Sequence, residues 1–229
     1  MIIQNNSKLV FIGDSISDFE RARPIGEGLF GGIGKSYIAL IDAFLKTASP
    51  QSKIRVINMG TGGNTVRDLK NRWDTDVVNL NPDWLVIHIG INDVWRQFDT
   101  PLITESHVYP DEYETTLNSL VEDTVSKVVG LILMTPFFME PNCKDPMRAK
   151  MDEYGTIVKK VAKRNHVMCI DLQAAFDSYL QYSYSASITW DRIHPDIVGH
   201  MIIAKAFLNA VRFDWNKFLP VEGNRLENT

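Results

Sequence analysis

Five short, predominantly apolar runs recur along the chain, at residues 8–12, 54–58, 84–89, 131–134 and 167–170, each bounded by turn-forming residues. They are apolar on both faces, the pattern of strands in a parallel sheet that helices cover on either side. Between and after them lie longer segments of helical period, at residues 36–47, 66–73, 111–128, 146–165, 172–184 and 196–215. This alternation predicts an α/β protein, a three-layer α/β/α sandwich around a five-stranded parallel sheet. Right-handed crossovers then leave a topological switch point beside the first strand, where ligands bind at the carboxyl ends of strands. No repeat, low-complexity tract or linker interrupts the pattern. Residues 1–229 are therefore expected to form one domain, with a solvated tail from about residue 222.

Polar and glycine-rich segments fall where those strands end. Gly13-Asp-Ser15 stops the first strand and sets the Ser15 hydroxyl at the crevice. Asn58-Met-Gly-Thr-Gly-Gly-Asn-Thr65 follows the second strand and opens a helix, so its backbone N–H groups are suited to an anion. Gly90-Ile-Asn-Asp93 follows the third and supplies a side-chain amide, and Asp191-Arg-Ile-His194 sits in the loop before the last helix. Taken singly, Ser15 reads as a helix N-cap and residues 191–194 as an exposed turn before a proline. Taken together, the segments contain the parts of acyl transfer: nucleophile, base, orienting carboxylate and oxyanion donors. His194 takes the Ser15 proton, and Asp191, three residues away in the same turn, holds the imidazole and stabilises its cation.

With these segments in place, the chain resembles the SGNH hydrolases, also called GDSL esterases or lipases. The resemblance covers nearly the whole chain, with all the segments in the family's order. It implies the flavodoxin-like SGNH hydrolase fold, Ser15 as nucleophile, His194 as general base and Asp191 as its partner. It also implies Gly63 and Asn92 as oxyanion donors beside the Ser15 backbone N–H. Stretches such as Arg21-Ala-Arg-Pro-Ile-Gly-Glu-Gly28, Gly90-Ile-Asn-Asp-Val-Trp-Arg-Gln97, Leu133-Met-Thr-Pro-Phe137 and Asp145-Pro-Met-Arg148 are similar to the intracellular acetylxylan esterases of bacilli. That narrower resemblance implies a serine esterase removing acetyl groups from acetylated xylo-oligosaccharides, assembled as a homo-oligomer. Ser17 stands where threonine is common, and Gly62 stands where serine usually precedes the glycine of the second segment, a change expected to loosen that loop.

Composition narrows the picture further. At 45% hydrophobic over 229 residues and a formal net charge of −4, the chain has material for one sizeable core and no basic cluster for nucleic acid. No apolar run reaches membrane-spanning length, and no leader-like segment opens the chain, so a cytoplasmic, membrane-free protein is expected. Cys143 and Cys169 lack metal-ligand spacing and read as reduced thiols. Gly26-Glu-Gly-Leu-Phe-Gly31 has the spacing of a dinucleotide fingerprint but follows no strand, and the Gly-x-Ser-x-Gly elbow is absent. Asp14, Asp93 and His88 have no companions at ligand spacing, so no metal and no cofactor is expected. His88 reads as a core histidine, and His107, His166 and His200 as packing or surface residues. Asp14 is assigned to holding the turn and, with Trp95, Arg96 and Trp190, is also a candidate contact for a small acylated carbohydrate, since indole faces stack on sugar faces; the alternatives are core packing for the two tryptophans and, for Arg96, holding the loop. The runner-up functions are the same chemistry on another small ester or a lysophospholipid, and a noncatalytic carbohydrate-binding domain. An enzyme is favoured, because a binder has no need of the full set of catalytic parts. Aromatics at Tyr179, Tyr182, Tyr184, Trp190, Trp215 and Phe218 are the expected assembly surface.

Overall fold

Residues Lys8–Gly13 form strand β1, buried throughout after Lys8, in the computed structural model, which describes residues 1–218. In chain order there follow α1 (Ser15–Asp18), α2 (Tyr37–Ala48), β2 (Arg55–Gly60), α3 (Val66–Asn71), β3 (Trp84–His88) and α4 (Ile91–Asp99). The second half contributes α5 (Pro110–Val125), β4 (Gly130–Met134), α6 (Pro146–Arg164), β5 (Met168–Ile170), α7 (Leu172–Leu180) and α8 (Ile197–Ala210). The strands pair in the order β2-β1-β3-β4-β5, all parallel. This is the doubly wound order in which the direction of winding reverses between β1 and β3, opening a crevice at their carboxyl ends. Helix α8 packs against both α2 and α7, and α3, α4, α5 and α6 form a second group, as two covered faces require. One hydrophobic core runs from Ile3 to Phe213 and includes the β1 residues Leu9, Val10, Phe11 and Ile12 at 0% exposure.

The five strands lie where the apolar runs predicted them, with ends shifted by a residue or two. The differences lie in the helices. Residues 91–99, which fall outside every segment of helical period in the sequence, form α4, which begins at Gly90 without a side-chain cap. Gly90 has φ of +130°, and a Cβ there would meet the Tyr113 hydroxyl at 2.8 Å, so the chain can enter this helix only through glycine. The last helix ends at Ala210, short of the expected 215, because Arg212 turns left-handed at φ 58°. The helix expected to run to residue 184 stops at Leu180, where Tyr182 N–H closes a tight turn on Tyr179 O. The tail expected from about residue 222 lies outside the described residues.

Candidate active site

Asp14 N-caps α1, its Oδ1 accepting from Ile16 N–H at 3.0 Å, and this leaves Ser15 as the first helical residue, whose N–H has no intrahelical acceptor. Ser15 Oγ lies 2.9 Å from His194 Nε2, a contact bridging 179 residues of sequence. His194 Nδ1 lies 2.6 Å from Asp191 Oδ2. With Nδ1–H directed at the carboxylate, Nε2 carries the lone pair and accepts from the serine hydroxyl. The other oxygen, Asp191 Oδ1, accepts from Ile193 N–H at 2.9 Å, His194 N–H at 2.7 Å and Thr189 Oγ1 at 3.1 Å. One carboxylate therefore folds the turn and orients the ring. Burial pushes Asp191 up, but the bonds from the His194 ring and from the His194 and Ile193 backbone outweigh it and hold the carboxyl below the usual carboxylate range. Between them Arg192 adopts φ of 64° and is tied to the loop after β4. Its carbonyl accepts from Met139 N–H at 2.9 Å, its guanidinium meets Glu140 at 2.6 Å, and it covers the Phe138 ring at 4.9 Å.

The loop after β2 and the first turn of α4 meet beside this group. Gly63 has φ of +78°, a conformation that exposes its backbone and strains any residue with a Cβ. Asn92 Nδ2 donates to Asn64 O at 2.9 Å, and its Oδ1 accepts from Arg96 at 3.3 Å, which fixes the sense of the amide. The loop expected to be loosened by Gly62 is anchored there instead, because Gly62 N–H donates to Asp18 Oδ2 at 2.9 Å and that carboxylate is held by Arg23. Arg72 braces the floor, donating to Gly13 O at 2.9 Å, Met59 O at 2.8 Å and Asn64 Oδ1 at 2.6 Å. It thereby joins the ends of β1 and β2 to the loop that carries Gly63. A serine, an imidazole and a carboxylate in line, beside a turned-out backbone and an oriented amide, are arranged for attack on an acyl carbonyl.

Residues 11–202 match the model of the GDSL-like Lipase/Acylhydrolase family. The chain belongs to that family. A GDSL-like acylhydrolase is a carboxylic ester hydrolase, and the strand ends of this one carry the arrangement such chemistry uses. It is 54% identical over 215 residues to an acetylxylan esterase of Geobacillus stearothermophilus, a match covering 94% of this chain and 98% of that one. The crystal structure of that organism's acetylxylan esterase Axe2 superposes with a TM-score of 0.93 at 53% identity, covering 94% and 98% of the two chains. Solved structures of Axe2 include catalytic mutants S15A, D191A and H194A. LAE5, an alpha/beta hydrolase from the metagenome of Lake Arreo, Spain, is similar with a TM-score of 0.91 and 52% identity over 93% of this chain and 98% of that one.

Within this GDSL-like acylhydrolase the four candidate sugar contacts separate. Asp14 is corrected: it is 1% exposed and committed to the cap of α1, so it supports Ser15 from beneath and is closed to substrate. Trp190 is 85% exposed, its ring 6.2 Å from His194 and nearly parallel at 9°. Trp95 meets the same imidazole edge-on at 5.9 Å, but is partly buried under the Arg96 guanidinium. Arg96 is engaged with Asp99 and Asn92, so it holds the amide. His88 and His200 are core residues, and burial pushes them down to about 3 and about 4 respectively. Sequence reasoning missed Arg72 and Arg192, since a lone arginine after a helix or inside a turn has no pattern that distinguishes it from a solvated one.

Proposed function

We propose that this protein is a serine esterase removing acetyl groups from acetylated xylo-oligosaccharides, with Ser15 as nucleophile, His194 as general base and Asp191 as its orienting partner. The observation that carries this reading is the continuous hydrogen-bonded line from Ser15 Oγ through His194 to an Asp191 held ionised. His194 takes the hydroxyl proton as Ser15 attacks the ester carbonyl. The tetrahedral oxyanion is held by the N–H groups of Ser15 and Gly63 and by the Asn92 amide, and the imidazolium then protonates the departing sugar oxygen. Water, activated by the same imidazole, releases acetate from the acyl-enzyme. The catalytic mutants of Axe2 alter a serine, an aspartate and a histidine whose types and numbers coincide with Ser15, Asp191 and His194 here, which supports the assignment.

The sugar enters the proposal through similarity to the Geobacillus acetylxylan esterase and through Trp190, whose exposed indole lies beside the base where a pyranose face would stack. Mass spectrometry of acetylated xylo-oligosaccharides before and after incubation should show loss of acetyl groups, unchanged by EDTA. Trp190→Ala should raise KM for the oligosaccharide about tenfold while leaving p-nitrophenyl acetate, which has no sugar, nearly unaffected. Intact acetyl groups would exclude this substrate class, and equal effects on both esters would remove Trp190 from sugar recognition.

The remaining readings are also proposals. The single core joining Ile3 to Phe213 supports one domain. Free Cys143 and Cys169 support a reducing, cytoplasmic setting. Tyr182, Tyr184 and Trp190, exposed at 90, 71 and 85%, support a homo-oligomer. Trp215 contributes less to that surface than expected, since it packs against Phe44 and Phe213 at 5.4 and 5.0 Å. The side chain of Phe218 lies outside the described ones. Sedimentation equilibrium at micromolar concentration should show species above the 26.0 kDa monomer, shifted downward by Tyr184→Ala, and a pure monomer would refute assembly.

A further inference from the structure

A buried carboxyl that the ester chemistry does not use lies between the two segments that carry the proposed donors. Asp93, in the first turn of α4, is 0% exposed. Its Oδ1 accepts from Val66 N–H, at the start of α3, at 2.9 Å, and nothing among the described residues reaches its Oδ2. Each end of this link adjoins a proposed donor: Asn92 immediately precedes Asp93, and Gly63 lies in the loop leading to Val66. The bond from Asn92 Nδ2 to Asn64 O ties the same two segments a second time. The capping box of α3 satisfies the Thr65 and Asp68 N–H groups and leaves Val66 N–H over, and Asp93, from a different segment, takes it.

We propose that Asp93 is a positioning residue of the oxyanion hole, locking the Asn92 turn to the Gly63 loop through Val66, and that it does so uncharged. This rests on the assignment of Gly63 and Asn92 as donors. Among the described residues, the groups facing Asp93 offer it no free cation. They are Asp14 from the turn before α1, Arg67 and Asp68 from α3, Tyr113 from α5 and Tyr154 from α6. Arg67 is committed to Glu112 by two contacts of 2.8 Å. Burial pushes the Asp93 carboxyl up to about 8 against the opposing bond from Val66 N–H, so the neutral acid prevails at neutral pH. Above about pH 8 the carboxylate forms, and a negative charge behind the donors opposes the oxyanion they are placed to stabilise. Asp14, pushed up to about 7 by burial, titrates nearby and requires its own control.

The test is the pH dependence of kcat and KM on p-nitrophenyl acetate, from about pH 5 to 9 with spontaneous hydrolysis subtracted, for the wild type and variants of checked fold. Asp93→Asn keeps an oxygen for Val66 and cannot ionise. It should run within about threefold of the wild type at neutral pH and lack the wild-type fall above about pH 8. Asp93→Ala should lose about 10²-fold in kcat with little change in KM, as a displaced donor does. The proposal is overturned if Asp93→Ala matches the wild type, if the Asp93→Asn profile keeps the alkaline fall, if the wild type shows none, or if Asp14→Asn alone removes it. Should Asp93→Ala not fold, the Asp93→Asn profile decides. Asn92→Ala separates the two levels: wild-type turnover there would sink the oxyanion assignment itself, whereas a large loss leaves it standing whatever Asp93 does.

Discussion

Replacing Ser15 by alanine is expected to leave a folded protein whose ester turnover is lower by about 10³- to 10⁶-fold. The cap of α1 belongs to Asp14, and Ser15 Oγ bonds to His194, so the substitution removes the proposed nucleophile while leaving the helix cap in place. His194 stays in place through Asp191. Initial rates on p-nitrophenyl acetate and on acetylated xylo-oligosaccharides, together with a thermal melt, test this directly. A variant within tenfold of the parent and equally stable would assign the chemistry elsewhere. A fluorophosphonate should add its mass to the wild type at Ser15 and leave the variant unlabelled.

Asp191→Asn should cost about 10⁴-fold in kcat, more than its small change in shape suggests. Asp191 Oδ1 holds the turn through Ile193 and His194 N–H, and Oδ2 faces His194 Nδ1. An asparagine can satisfy the turn only by keeping its oxygen there, which presents its NH₂ to the ring. That forces the proton from Nδ1 to Nε2, so the imidazole donates toward Ser15 where it should accept. The turn survives and the tautomer is wrong, so the melt should change little while kcat collapses. In the wild type, Asp191 lies below the usual carboxylate range and stays ionised across the working range. The acid limb of the rate therefore follows loss of the imidazole proton, and activity should climb with pH. A pH-independent rate from about 5 to 9, or a modest loss in Asp191→Asn, would count against His194 as base.

The strands could be read from the sequence because they are short, mostly apolar runs, and the central ones, β1 and β3, are buried on both faces. The site segments were legible for a related reason. A parallel sheet delivers the ends of its strands to one edge, so Ser15, Gly63 and Asn92 had to converge once the strands were placed. What stayed hidden depends on contacts between distant side chains. The entry to α4 rests on a positive φ at Gly90 that no capping residue announces. Asp14 and Asp93 look like exposed polar residues in a motif, yet both are buried, one under the nucleophile and one between two helix starts. The resemblance named the donors, and holding the loop was one of the two roles read for Arg96, but the brace at Arg72 became visible only when the fold brought its partners within reach.

Ser15 and His194, the proposed nucleophile and base, stand 179 residues apart, and neither has its partner until β1 and the loop before α8 have docked on the same sheet edge. During synthesis, Ser15 emerges early in a segment whose strand must wait for β2 and β3, and the imidazole is among the last of the core-bearing segments to leave the ribosome. A nascent or truncated chain therefore carries the serine as an ordinary alcohol. Hydrolytic competence arrives only with completion of the tertiary structure, so ester hydrolysis marks the fully assembled molecule and its partly folded precursors are chemically silent.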